Sequence, residues 1–121
     1  MKYMLLVHHD QEAHAQRSQV ERDGLLRESV QLCNQLHGNG KYLGAAPLHP
    51  SSETTCVKVR DGKRFVTDGP FAETREQIGG YFLVDVEDRD EAIAIAEKIP
   101  GARIGVVEVR PVREVDGLPE L

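Results

Sequence analysis

Val66-Thr67-Asp68-Gly69-Pro70-Phe71-Ala72-Glu73-Thr74-Arg75-Glu76-Gln77-Ile78-Gly79-Gly80-Tyr81-Phe82-Leu83-Val84-Asp85-Val86 sets an ordered polar loop directly before the most apolar strand in the chain. Pro70 restricts its own φ and biases Gly69 toward extended geometry, while the Asp68 carboxylate can accept from nearby backbone N–H groups in an Asx-type turn. A rigid corner is expected, with Phe71 anchored in an apolar pocket and Glu73, Thr74, Arg75 and Glu76 presented along a short turn. Strand is expected from Gly80 to Val86, apolar toward both faces and therefore buried on both.

Working outward, Thr54 to Val59 and Lys63 to Thr67 flank Asp61-Gly62. A type I′ turn needs positive φ at both central positions, so this pair predicts a β-hairpin inserted into a simpler fold. Lys2 to Val7 reads as a strand buried on both faces. Ser18-Gln19-Val20-Glu21 has capping-box form and starts a helix over Gln19 to His37. Its apolar positions are Leu25, Leu26, Val30, Cys33, Leu36 and His37, and Gly38 follows where a left-handed C-terminal residue is wanted. Tyr42 to Pro47 predicts an edge strand, and Asp88 caps a short helix that presents Ala92, Ile93, Ala96 and Ile99 before Pro100-Gly101 stops it. A last strand runs from Gly105 to Val109.

The resulting order is β-α-β-(hairpin)-β-α-β, an α+β, ferredoxin-like βαββαβ arrangement. It forms one domain over residues 1–112, with 113–121 as a C-terminal tail. Two helices cover only one face of such a sheet. The other face is apolar too, so pairing with a second copy is expected, and twofold symmetry makes that a homodimer.

Composition narrows the partners. A formal charge of -5, with no basic stripe, argues against nucleic acid and anionic membranes, leaving a small-molecule ligand or another protein. The apolar start at Tyr3 to Val7 falls far short of the roughly 20 residues that span a bilayer and lacks a signal peptide's features, so a cytoplasmic location is expected. Cys33 and Cys56 have no C-x-x-C spacing and are expected as buried free thiols. Phosphate-loop and dinucleotide patterns are absent, and no cofactor is expected.

From Asp68 to Tyr81 the chain closely resembles the DGPF motif of the YCII-related proteins. The resemblance extends over Met1 to Val7, Val59 to Val86 and Val107 to Val112. It implies small α+β subunits that pair their sheets into a dimeric α+β barrel. Many relatives carry an aromatic where this chain has His8. The shorter YciI branch has a His and an Asp proposed as a catalytic pair, and those positions fall near Ser29 and Gly38 here, so activity resting on that pair does not carry over. Relatives in the broader group include isomerases and a dehydrochlorinase, which implies a cofactor-free enzyme of isomerase or lyase type acting on a small organic or aromatic-derived acid. Others resemble accessory partners of extracytoplasmic-function sigma factors, which implies a non-catalytic binding or regulatory module.

Such chemistry needs a base, an acid and a polarising cation. The catalytic candidates are Asp68, Glu73, His8 and His9; the substrate-binding candidates are Phe71, Arg75, Tyr81 and Arg110. The structural reading of the same motif is a turn that locks a dimer. His8 and His9 are strand neighbours that point to opposite faces, so one metal cannot easily take both, and no metal site is expected. Glu108 and Arg110 share a strand face and are expected to pair at the dimer seam. The first strand is expected to run parallel to Tyr81 to Val86. That would bring the signature loop to Arg110 and leave His8 and His9 beside Asp85 and Gly105, roughly 20 Å away.

Overall fold

Three of the four α-helices begin where a capping side chain stands. The computed structural model describes residues Met1–Leu121. In it Ser18 accepts the Glu21 N–H at 3.1 Å to open helix α2 (Gln19–Gly38), and Asp88 accepts the Glu91 N–H at 2.9 Å to open α3 (Arg89–Lys98). A third cap, Asp10, accepts from Ala13 and starts a short helix α1 (Gln11–Ala15), between the strand and the helix expected from the sequence. α3 stops at Lys98, ahead of Pro100-Gly101 as expected, but Pro100 does not end the helical region. It leads into a further turn, α4 (Gly101–Ile104), since proline is well tolerated before a helix's first turn.

The strands are β1 (Lys2–Asp10), β2 (Tyr42–Pro47), β3 (Thr55–Arg60), β4 (Lys63–Asp68), β5 (Glu76–Asp85) and β6 (Gly105–Pro111). Four of them form one sheet in the order β2-β5-β1-β6, with every pair antiparallel, while β3 and β4 form a separate ribbon. This is the ferredoxin-like βαββαβ fold with an inserted hairpin. Asp61 (φ 52°) and Gly62 (φ 74°) supply the two left-handed residues of the hairpin turn.

One topological expectation is overturned, with consequences for the site. β1 and β5 are antiparallel: Lys2 stands opposite Asp85, and His9 opposite Gln77. The single crossover helix α2 returns the chain so that β2 runs in the same direction as β1, and β5, lying between them, opposes both. His8 and His9 therefore sit at the signature-loop end of the sheet. Arg110, opposite Met4, lies toward the other end.

Both central strands are longer than expected because they pair with each other. β1 continues to Asp10 and β5 starts at Glu76, with Asp10 opposite Glu76. The left-handed residue after α2 is Gly40 (φ 72°), not Gly38, and Gly69 (φ 99°) turns the chain where extended geometry was expected.

The core lies between the sheet and the helices. Leu5, Val84 and Ile99 are inaccessible or nearly so, and Tyr3, Phe82, Ile95 and Leu36 pack around them. On α2 the buried residues are Leu32 and Leu36, whereas Leu26 and Val30 are each half exposed. On α3 the buried contact is made by Ile95 rather than Ile93. The opposite sheet face, with Met4, Leu6, Val106 and Arg110, is covered by no helix.

Candidate functional site

The half-exposed part of the α2 stripe has a structural reason. Between α2 and the sheet lies a cavity of about 510 Å³, and Leu26 and Val30 line it together with Cys33. Its walls are mostly apolar. Polar groups enter from Ser29, Asn34 and His37 on α2, Tyr42 on β2 and His9 on β1. Burial pushes the Cys33 thiol up from its ordinary value, so it stays protonated and serves as apolar wall.

His9 is the polar group that the fold places most tightly. β1 alternates, sending Tyr3, Leu5, Val7 and His9 toward the helices and Met4, Leu6 and His8 toward the open face. A Cβ on Gly79 would stand 2.0 Å from His9 Cε1, so the ring lies against bare backbone of β5. On its other side His9 meets His14 of α1, with ring centroids 4.7 Å apart and planes tilted by 55°.

Burial and neighbouring cations shift both rings toward the neutral form. The His9 imidazole is held below the ordinary histidine value first by burial, then by His14 and Arg17, against smaller opposing pulls from Asp10 and Glu76. His14 is lowered by burial and by Arg17 and Arg22. A neutral imidazole in an apolar cleft is a proton acceptor ready for use. His14 Nδ1 and Arg17 Nε, at the same junction, are shielded from solvent without a hydrogen-bond partner. Such groups are uncommon in folded proteins and mark unspent hydrogen-bonding capacity.

The signature loop lines a second cavity of about 700 Å³, bounded by Pro70, Phe71, Thr74, Gln77, His49 and His8. Gln77 holds the loop, donating from Nε2 to the Ala72 and Thr74 carbonyls at 2.8 and 3.0 Å. Gly69 N–H donates to the Thr54 carbonyl at 2.7 Å, tying the corner to the base of the ribbon. The corner is thus built by main chain and Gln77, and no hydrogen bond reaches the Asp68 carboxylate. Phe71 is no anchor within this chain: 97% of its surface is exposed. The loop is also free of helix, because Gln77 satisfies the carbonyls that a helical turn would use internally.

The candidates therefore separate. His9 belongs to the helix-side cavity, and His8 and Phe71 to the second one; Tyr81 borders the helix-side cavity, but from a position opposite Leu6 that turns its side chain to the open face. Asp68, Glu73, Arg75 and Arg110 are exposed and line neither. Glu108 is engaged by His8 Nε2 across β1 and β6, not by Arg110, because the antiparallel register sets Glu108 diagonal to His8 on the open face. No three His, Cys, Asp or Glu side chains converge in a metal-holding arrangement. The sequence reading missed His14, Ser29, Asn34 and Tyr42 as companions of His9. Asp10 followed by Glu12 was the available signal for α1, and it would have brought His14 back over His9.

Comparison with known proteins agrees with the fold. Residues 1–116 match the YCII-related domain. The chain is 32% identical over 113 residues to an uncharacterised protein of Rhizobium meliloti (strain 1021), covering 92% of this chain and 91% of the relative. The chain belongs to the YCII-related family. No helix is long and apolar enough to cross a membrane.

Proposed function

We propose that this YCII-related chain binds a small organic or aromatic-derived acid in the cleft between α2 and the sheet and acts on it without a cofactor, as an isomerase or lyase. The observation that carries the reading is the His9 ring set against Gly79 at an apolar cavity of about 510 Å³, where burial shifts it toward its neutral form. Sites of this size and character suit small ligands, with a few polar groups fixing orientation. His9 takes a proton from the carbon next to the ligand's carboxylate or carbonyl. Arg17, whose charge already acts on His9 from outside the cavity wall, stabilises at longer range the negative charge that forms on oxygen. Returning the proton to a different carbon completes an isomerisation; expelling a leaving group from the neighbouring carbon completes an elimination.

The chain pairs as a homodimer through its open sheet face, where Met4, Leu6 and Val106 have no cover in one subunit. Asp68, Glu73, Arg75 and Arg110 join a site only through that second copy. The Asp68-Gly69-Pro70-Phe71 run supports assignment to the DGPF-motif branch.

The cleft lining contains no carboxylate, which favours a second reading, a small-molecule-binding or regulatory module of the kind associated with sigma factors. One experiment separates the two. A thermal-shift panel of small carboxylic acids identifies ligands, since one at 100 times its Kd stabilises by about 2.7 kcal/mol. NMR then follows exchange of the ligand's α-proton in D2O. Exchange that disappears in His9→Asn supports the enzyme; binding without exchange supports the module; no binding across the panel removes the cleft as a site.

A further inference from the structure

The β3–β4 ribbon departs from the signature-loop end of the sheet with both faces open. Val57, Val59 and Val66 share one face with Arg64, and they keep 66, 59 and 49% of their surface exposed. Lys58, Arg60, Lys63 and Phe65 occupy the other face, with the Lys58 ammonium 5.4 Å from the Phe65 ring centroid. A two-stranded ribbon alone is marginally stable in water, so this valine face needs a cover. The ribbon is also basic, carrying Lys58, Arg60, Lys63 and Arg64 against Asp61 and Asp68 in an otherwise acidic chain.

At the other end of the sheet, β6 gives way to the segment Val112–Leu121. Its start is pinned: Val112 N–H donates to the Lys2 carbonyl at 2.9 Å, and Lys2 Nζ lies 3.3 Å from Glu114. Beyond that point Val115, Leu118 and Leu121 are exposed at three-residue intervals, interleaved with Asp116 and Glu120. The segment is thus apolar and acidic where the ribbon is apolar and basic. Within one chain the length of β1, about 26 Å at roughly 3.3 Å per residue, keeps the pinned start away from the ribbon.

We infer that the Val112–Leu121 segment of one copy lies along the β3–β4 ribbon of a second copy. Val115 and Leu118 cover Val57, Val59 and Val66, while Asp116 and Glu120 face Arg64 and the cations at the ribbon's tip. The inference rests on the homodimer proposed above and specifies its geometry. A twofold axis running across the strands, between the two open sheet faces, sets the ribbon end of each copy over the tail end of the other. An axis along the strands would set two basic ribbons side by side, which like-charge repulsion opposes.

The test is zero-length carbodiimide cross-linking of dimers assembled from mixed 14N and 15N chains. Peptides of mixed isotope joining Lys63, at the ribbon's tip, to Asp116 or Glu120 are expected, and the paired variant Arg60→Glu with Arg64→Glu should weaken dimerisation about tenfold or more. Adding Asp116→Lys and Glu120→Lys to that variant should restore it. A dimer that yields no such mixed peptides, and whose Kd ignores the charge reversal, overturns the tail-on-ribbon contact while leaving the pairing intact. A monomer by sedimentation overturns both.

Discussion

The His9 ring occupies the space that a side chain at residue 79 would need, since a Cβ there would stand 2.0 Å from its Cε1. The glycine is therefore what allows a histidine to lie on the sheet at the mouth of the cleft. Gly79→Ala should fold, because the clashing atom belongs to a side chain that can rotate. The displaced His9 ring should then leave the cleft and become better solvated. By NMR its titration should rise toward the ordinary histidine value of 6.5, and ligand binding should fall. An unchanged His9 titration in this variant would contradict the packing described.

The histidine pair predicts how stability depends on pH. Both folded-state values lie below 6.5, so the unfolded chain binds these protons at higher pH than the folded one. Their contribution is fully present above 6.5 and is lost as pH falls from there through the depressed folded values. Urea denaturation across that interval should show stability rising with pH. His14→Gln should flatten the slope and raise the His9 titration, because it removes one proton-binding site and one of the two groups, with Arg17, that repel a charge on His9.

The uncovered sheet face predicts the assembly. Val106 is half exposed and Leu6 is only partly covered in a single chain. Placing a carboxylate there, as Leu6→Glu with Val106→Glu, should raise the dimer Kd at least about tenfold in sedimentation equilibrium. The single-chain fold should persist by circular dichroism, since neither residue belongs to the helix-side core. A Kd unmoved by both charges would place the interface elsewhere.

Core and cap substitutions calibrate the fold. Leu5 is inaccessible at the centre of the sheet, and Leu5→Ala should cost about 2–5 kcal/mol in urea unfolding. Ser18→Ala removes the acceptor for Glu21 N–H and should cost about 1 kcal/mol. A smaller loss for Leu5 than for Ser18 would mean that the core is not where these packing relations put it.

Much of the architecture was legible in the chain because it rests on local chemistry. Asp61-Gly62 supplies its own turn, Ser18 and Asp88 find partners three residues away, and alternation along β1 sends His8 and His9 to opposite faces. The extent of β1 and β5 was not legible, since Glu76 to Ile78 hold strand geometry by pairing with His8 to Asp10 of β1, across a register shift at Gly79. Phe71 shows the same limit from the other side: its composition suggests an anchor, but no surface of this chain lies close enough to bury it.

Local sequence by itself determined the elements, the hairpin, the apolar sheet face and the candidate status of His9, because each follows from contacts a few residues apart or from side-chain alternation. Only the tertiary structure decided that β5 runs against β1. That direction carries His8 and His9 to the signature-loop end, takes Arg110 away from it, and lays His9 between Gly79 and His14. Strand direction depends on how a distant crossover closes, and no residue near His9 encodes it.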